Sequence, residues 1–99
     1  MLHTINKSPF DCNAFETCLN FARPGSAILL IEDGVYAATR GTAVSEQLMD
    51  ALKTLPIYVL KPDVDARGMQ NRVMDGIRLV GYDGFVDLVA EHDSVQSWL

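Results

Sequence analysis

Ile28-Leu29-Leu30-Ile31 runs straight into Glu32-Asp33-Gly34, and no other stretch restricts the possible folds as much. Four consecutive apolar side chains ended by turn residues describe a strand covered on both faces, since a strand with one wet face would alternate. Such a strand belongs to a layered α/β fold, with helices packed on a mainly parallel sheet. Asp33-Gly34 is expected to supply a positive φ where the chain leaves the strand. In folds of this kind the loops at the carboxyl ends of the strands carry the functional groups. The residues just after Ile31 are therefore a place to look for function.

The rest of the chain alternates strands with helices. Leu2 to Ile5 reads as a first strand. Ser8-Pro9 reads as a helix start, with Ser8 as N-cap and Pro9 at the first helical position. That helix is expected to run to about Arg23, because Pro24 restricts the residue before it. Its buried stripe is Ala14, Phe15, Cys18, Leu19 and Ala22. After Pro24-Gly25-Ser26, the second strand spans Ala27 to Ile31. A second helix fits Val44 to Leu55, capped by Thr42 or Ser45, with Val44, Leu48, Ala51, Leu52 and Leu55 facing inward. Ile57 to Leu60 is a third strand, stopped by Pro62. Asp63 is expected to cap a one- or two-turn helix ending at Gly68. Gln70 to Gly76 is polar loop, and Ile77 to Val80 a fourth strand. Asp83 then caps a last helix with Phe85, Leu88 and Val89 inward and Asp83, Asp87 and Glu91 along its other side. The fold class is thus α/β: one small domain, residues 1–99, with a mainly parallel four- to five-stranded sheet and helices on both faces.

Composition narrows the function classes. The hydrophobic fraction of 48% fills a core and leaves apolar surface over, which points to an oligomer. A net charge of −5 and a pI near 4.7 argue against direct binding to nucleic acid. No apolar run approaches the roughly 18 residues of a membrane span. MLHTINKSPF lacks the apolar core of a signal peptide, so the expected compartment is the cytoplasm, where cysteines stay reduced. Neither GxGxxG nor GxxxxGK occurs, and no hydroxyl-histidine-acid signature is present. His3 and His92 have no metal-like spacing. Neither a metal nor an organic cofactor is expected.

Several side chains carry two readings. Cys12 and Cys18 are not a CxxC pair, and six residues apart on one helix they point about 120° from each other, which does not suit a bridge. Cys12, nearer the helix N-terminus, is favoured by the dipole as a thiolate, or else is an incidental exposed thiol. Cys18 is either a small core hydrophobe or a nucleophile able to take up sulfur. His3 reads first as a satisfied strand histidine. The Asp83, Asp87, Glu91 stripe reads first as a solvated face and second as a docking patch for a basic partner. Arg67 is free for a salt bridge or a subunit contact. Trp98 is expected to dock on its own domain or on a neighbour.

The opening MLHTINKSPF, the segment LLIEDGVYAA, the block IYVLKPDVDARG and the ending GFVDLVAEHDSVQSWL together resemble the DsrH/TusB family of intracellular sulfur-relay subunits, over nearly the whole chain. The resemblance implies a DsrE-like α/β domain. It implies a heterohexamer with two copies each of this chain, a DsrE/TusD-like paralogue and a DsrF/TusC-like paralogue, serving a DsrC/TusE-like sulfur carrier. One branch of the family acts in sulfur oxidation, and the other relays persulfide sulfur toward 2-thiouridine in transfer RNA. Cys18 within FETCLNFA matches the helix-one cysteine of DsrH-type members. The resemblance thus favours the oxidation branch and makes Cys18, rather than Cys12, the candidate persulfide site. The sulfur-accepting paralogue carries its cysteine just after the third strand, where this chain has Lys61-Pro62. Any role of this chain in transfer is then accessory. The remaining alternative is a purely structural subunit with two inert cysteines.

Overall fold

Five short parallel strands are set in the order β4-β3-β2-β1-β5. The structure is a computed structural model and describes residues 1–98. In chain order the elements are β1 (Leu2–Ile5), α1 (Ala14–Phe21), β2 (Ala27–Leu30), a 3₁₀ helix (Glu32–Ala38), α2 (Ser45–Leu52), β3 (Ile57–Leu60), α3 (Lys61–Ala66), β4 (Arg78–Val80), α4 (Tyr82–Glu91) and β5 (Val95–Trp98). β1 and β2 lie at the middle of the sheet and every residue in them is buried, as the continuous apolar run requires.

The two faces of the sheet are covered unequally. Ile5, Ile28, Leu30, Ile57 and Val59 pack with Phe15 and Cys18 of α1, Leu48 of α2, Val64 of α3 and Val35 of the 3₁₀ helix. On the opposite face, Leu2, Ala27 and Leu29 pack with Ile31, Tyr58 and Val80, and among the helices of the described residues α4 alone joins them, through Leu88 and the half-buried Phe85. The chain moves outward from β1 to β4 on one side of the sheet. It then returns across the other face through α4, so that β5 pairs with β1.

Several boundaries differ from the sequence reading, each for a local reason. α1 begins at Ala14, not at Ser8-Pro9. Ser8 instead closes a separate turn, its Oγ accepting from Phe10 N at 3.2 Å and its carbonyl from Asp11 N and Cys12 N. Cys12 therefore lies just before the helix, ahead of its N-cap Asn13. Ser45 Oγ accepts from Thr42 N at 2.9 Å and so does not cap α2. α3 starts at Lys61 and takes Pro62 into its first turn, which the missing N–H of proline permits. α4 starts at Tyr82 behind Gly81 rather than at Asp83, and Val89, expected inward, is 40% exposed. The fifth strand is built from Val95-Gln96-Ser97-Trp98, mostly exposed residues at the sheet edge.

The exit from β2 is also tighter than the sequence suggested. Residues 32–38 wind into a 3₁₀ helix, and the positive φ (50°) falls on Glu32, not on Gly34. Gly34 is needed for space. A Cβ there would stand 2.0 Å from the carbonyl oxygen of Ile5. Gly34→Ala is accordingly expected to destabilise the domain by about 3 kcal/mol, the upper end of what overpacking usually costs, because backbone must move. Gly81→Ala, whose Cβ meets open space, is expected to cost less than about 1 kcal/mol. Urea unfolding of the two variants checks this, and equal midpoints would contradict the close-approach account.

Candidate functional site

The carboxyl ends of β2 and β3 bring together Glu32 and Asp33 on one side and Asp63 and Arg67 on the other. β2 ends against the 3₁₀ helix, while β3 runs directly into α3, so both connections begin at the same edge of the sheet. The Asp63 carboxylate accepts from the Glu32 backbone N–H at 2.7 Å. Arg67 donates from Nε and Nη2 to the Asp33 carboxylate at 3.1 and 2.9 Å, and from Nη1 to the Asp63 carbonyl at 3.2 Å. Its guanidinium lies 6.0 Å from the centre of the Tyr36 ring. The hydrogen bond to Asp33 raises the Arg67 pKa further above its ordinary value, with the charges of Asp33 and Asp63 adding to it against burial.

This is a clamp rather than a reaction centre. The Arg67 guanidinium is committed to Asp33 and Asp63, and the position after β3 holds Lys61-Pro62, which supplies no thiol. The Lys61 ammonium lies 2.7 Å from Asp65. Arg67 makes the salt bridge that sequence reasoning allowed for. The bond from Glu32 N–H to Asp63 was not anticipated, because Asp63 reads in sequence as the cap of its own helix. Its signal lies only in the third dimension.

The two cysteines are both free thiols and lie in opposite environments. Cys18 is fully buried in the α1 stripe, and burial pushes its pKa up to about 12. Near neutral pH it stays a thiol. Cys12 is exposed, with Sγ 3.9 Å from the Ser8 carbonyl. It lines an open cleft of about 460 Å³ with Phe10, Phe15 and Val44. The family pattern therefore points to the thiol that solvent cannot reach.

His3 and Trp98 meet at the other edge of the sheet. His3 is buried, and its Nδ1 accepts from Trp98 Nε1–H at 3.1 Å, which places the ring proton on Nε2. Phe21 completes an edge-to-face cluster, 6.4 Å from His3 and 5.8 Å from Trp98 by ring centres. Trp98 thus docks on its own domain. Burial, helped by the nearby N-terminal charge, lowers the His3 pKa. Among the described residues, no three His, Cys, Asp or Glu side chains form a group able to hold a metal, and no helix is long and apolar enough to cross a membrane.

Comparison with known proteins agrees with this architecture. A family model described as DsrH like protein matches residues 7–95. Protein TusB of Pectobacterium carotovorum subsp. carotovorum (strain PC1) is 39% identical over 98 residues, covering 99% of this chain and 100% of that protein. Protein TusB of Escherichia coli (strain K12 / DH10B) is 36% identical with the same coverage. Among solved structures, the ychN protein from E. coli superposes with a TM-score of 0.81 at 18% identity, covering 97% of each chain. MTH1491 from Methanobacterium thermoautotrophicum gives 0.80 at 13% identity, covering 97% of this chain and 96% of that one. At these identities the two structures share the fold alone.

Two outcomes follow from the site geometry. A thiol reagent should titrate one fast group in the native wild-type chain and none in Cys12→Ser until denaturant is added. Cys18→Ser should leave that fast group unchanged and cost about 1–3 kcal/mol for the buried hydroxyl. Rapid labelling of Cys18 in the folded chain would sink this assignment.

His3 should also make stability depend on pH. The folded protein holds His3 neutral more strongly than the unfolded chain does. The unfolded chain therefore takes up a proton first as pH falls below about 6.5. The contribution is complete above that pH and is lost as pH drops through the lower folded value. Melting between pH 7.5 and 5, followed by the fluorescence of Trp98, the single tryptophan, should show a steeper loss in wild type than in His3→Gln. Parallel curves would rule it out.

Proposed function

The chain belongs to the DsrH/TusB family, and from that premise we propose that it is a sulfur-relay subunit of the TusB branch, acting toward 2-thiouridine formation in transfer RNA. The observation that carries this reading is full-length similarity, 36–39% over 98 residues, to proteins named TusB. The sulfur-oxidation branch, which Cys18 favoured, has less support. The curated relatives carry the other name, and the cysteine behind that preference lies in the core.

The role assigned here is assembly and positioning. The chain joins a DsrE/TusD-like and a DsrF/TusC-like paralogue, two copies of each, and the complex serves a DsrC/TusE-like carrier in the cytoplasm. In each transfer an acceptor thiolate attacks the outer sulfur of a donor persulfide. A new S–S bond forms, the old one breaks, and the donor leaves as thiolate. That chemistry needs a reachable, ionised thiol. Cys18 offers neither property unless α1 lifts from the sheet, and this supports its alternative role as a core residue. The post-β3 cysteine of the partner fits the acceptor role better. The net charge of −5 speaks against direct contact with the transfer RNA backbone.

Co-expression with both paralogues should yield one complex. Deletion of this chain should lower 2-thiouridine in transfer RNA, and Cys18→Ala should restore it to within about twofold of wild type, provided the variant remains folded. A chain that stays monomeric beside both paralogues, with 2-thiouridine unchanged by its deletion, would defeat the proposal.

A further inference from the structure

α4 is apolar well beyond what the sheet uses. Leu88 and Phe85 meet the sheet, yet Tyr82 and Val86, on the adjoining face, are 63% and 67% exposed, and Val89 is also open. With Phe85 and Ala90 they enclose a shallow groove of about 410 Å³ whose lining side chains are apolar apart from the Tyr82 hydroxyl. Val95 of β5, paired with Leu2, faces the same side of the sheet and is exposed too. Along the far flank of this stripe run the exposed carboxylates Asp83, Asp87 and Glu91.

We propose that the Tyr82-Val86-Val89 stripe of α4 is a heterotypic docking surface for a protein partner that presents an apolar ridge bordered by Lys or Arg. The inference rests on the subunit reading above and adds the surface and the chemistry of the partner. Charge selects the occupant. An antiparallel two-fold contact between copies would place the acidic flank of one α4 on the same side as that of the other. The carboxylates would then face each other across a partly desolvated rim, in a chain that already carries −5. An anionic membrane surface is disfavoured for the same reason. A partner with basic residues at the rim turns the same carboxylates into a source of attraction and register, while the apolar centre supplies the affinity.

The test is assembly of the full chain co-expressed with its two paralogues. Val86→Glu should weaken incorporation at least tenfold, while the isolated variant keeps its far-UV spectrum and melts within a few degrees of wild type. Asp87→Lys should weaken incorporation less and flatten its dependence on salt. Normal assembly of folded Val86→Glu would overturn this proposal and leave the subunit reading standing. A wild-type homodimer that Val86→Glu converts to monomer would assign the face to a second copy and overturn it as well. Failure of the wild-type chain to assemble at all would overturn the subunit reading and this inference with it.

Discussion

The carbonyl of Ile5, at the end of the inner strand β1, fixes the geometry on which the rest depends. It accepts from Ile31 N–H at 3.0 Å, which extends the β1–β2 pairing by one rung, and Gly34 lies directly against it. The chain leaving β2 therefore turns at once into a 3₁₀ helix instead of travelling outward. The turn puts Glu32 in the left-handed region, a conformation that costs about 1–2 kcal/mol for a residue with a Cβ. The bond from its N–H to Asp63 offsets part of that cost and ties β2 to α3. Arg67 then closes the same junction through Asp33. One close approach of backbone to backbone thus organises the edge of the sheet where parallel α/β folds place their sites. It also spends that edge on internal bonds.

Period and punctuation were enough to place most elements. The four-residue apolar run marked β2, and the spacing of Leu48, Ala51, Leu52 and Leu55 marked the inner face of α2; all four pack in the larger core cluster. What escaped was decided between segments. Ser8 and Pro9 carry the marks of a helix start, but Ser8 uses them on a turn. Asp63 looks like a local cap and bonds across the fold instead. β5 has little apolar pattern of its own. It is a strand because β1 offers a free edge and because Trp98 finds the buried acceptor on His3. Val89 sits at the margin of the α4 stripe, where helical spacing alone cannot say which apolar residues the sheet will reach.

The cysteines show the same limit from the chemical side. Sequence places Cys18 on an apolar helix stripe and resemblance makes it a candidate nucleophile. The two statements compete, because the packing that buries the thiol also removes the charge-stabilising surroundings a thiolate requires. In the folded chain packing prevails, and the thiol pKa near 12 is its electrostatic consequence. The accessible thiol, Cys12, stands outside α1, which starts two residues later. The thiol that resemblance singles out is thus the one that the core encloses.

A 99-residue chain with 48% hydrophobic residues cannot hide all of its apolar surface in one small core. The asymmetry of the sheet decides where the surplus appears. One face receives α1, α2, α3 and the 3₁₀ helix and is closed. The other receives a single ten-residue helix, which covers the centre of that face and turns its own second apolar side outward. Because the chain crosses the sheet only once on that side, to reach β5, no further segment among the described residues lies over α4. The topology that gives β1 its fifth-strand partner is therefore the same topology that leaves Tyr82 and Val86 in solvent. An exposed apolar stripe with an acidic border is then a consequence of connectivity, available to any partner whose charge complements it.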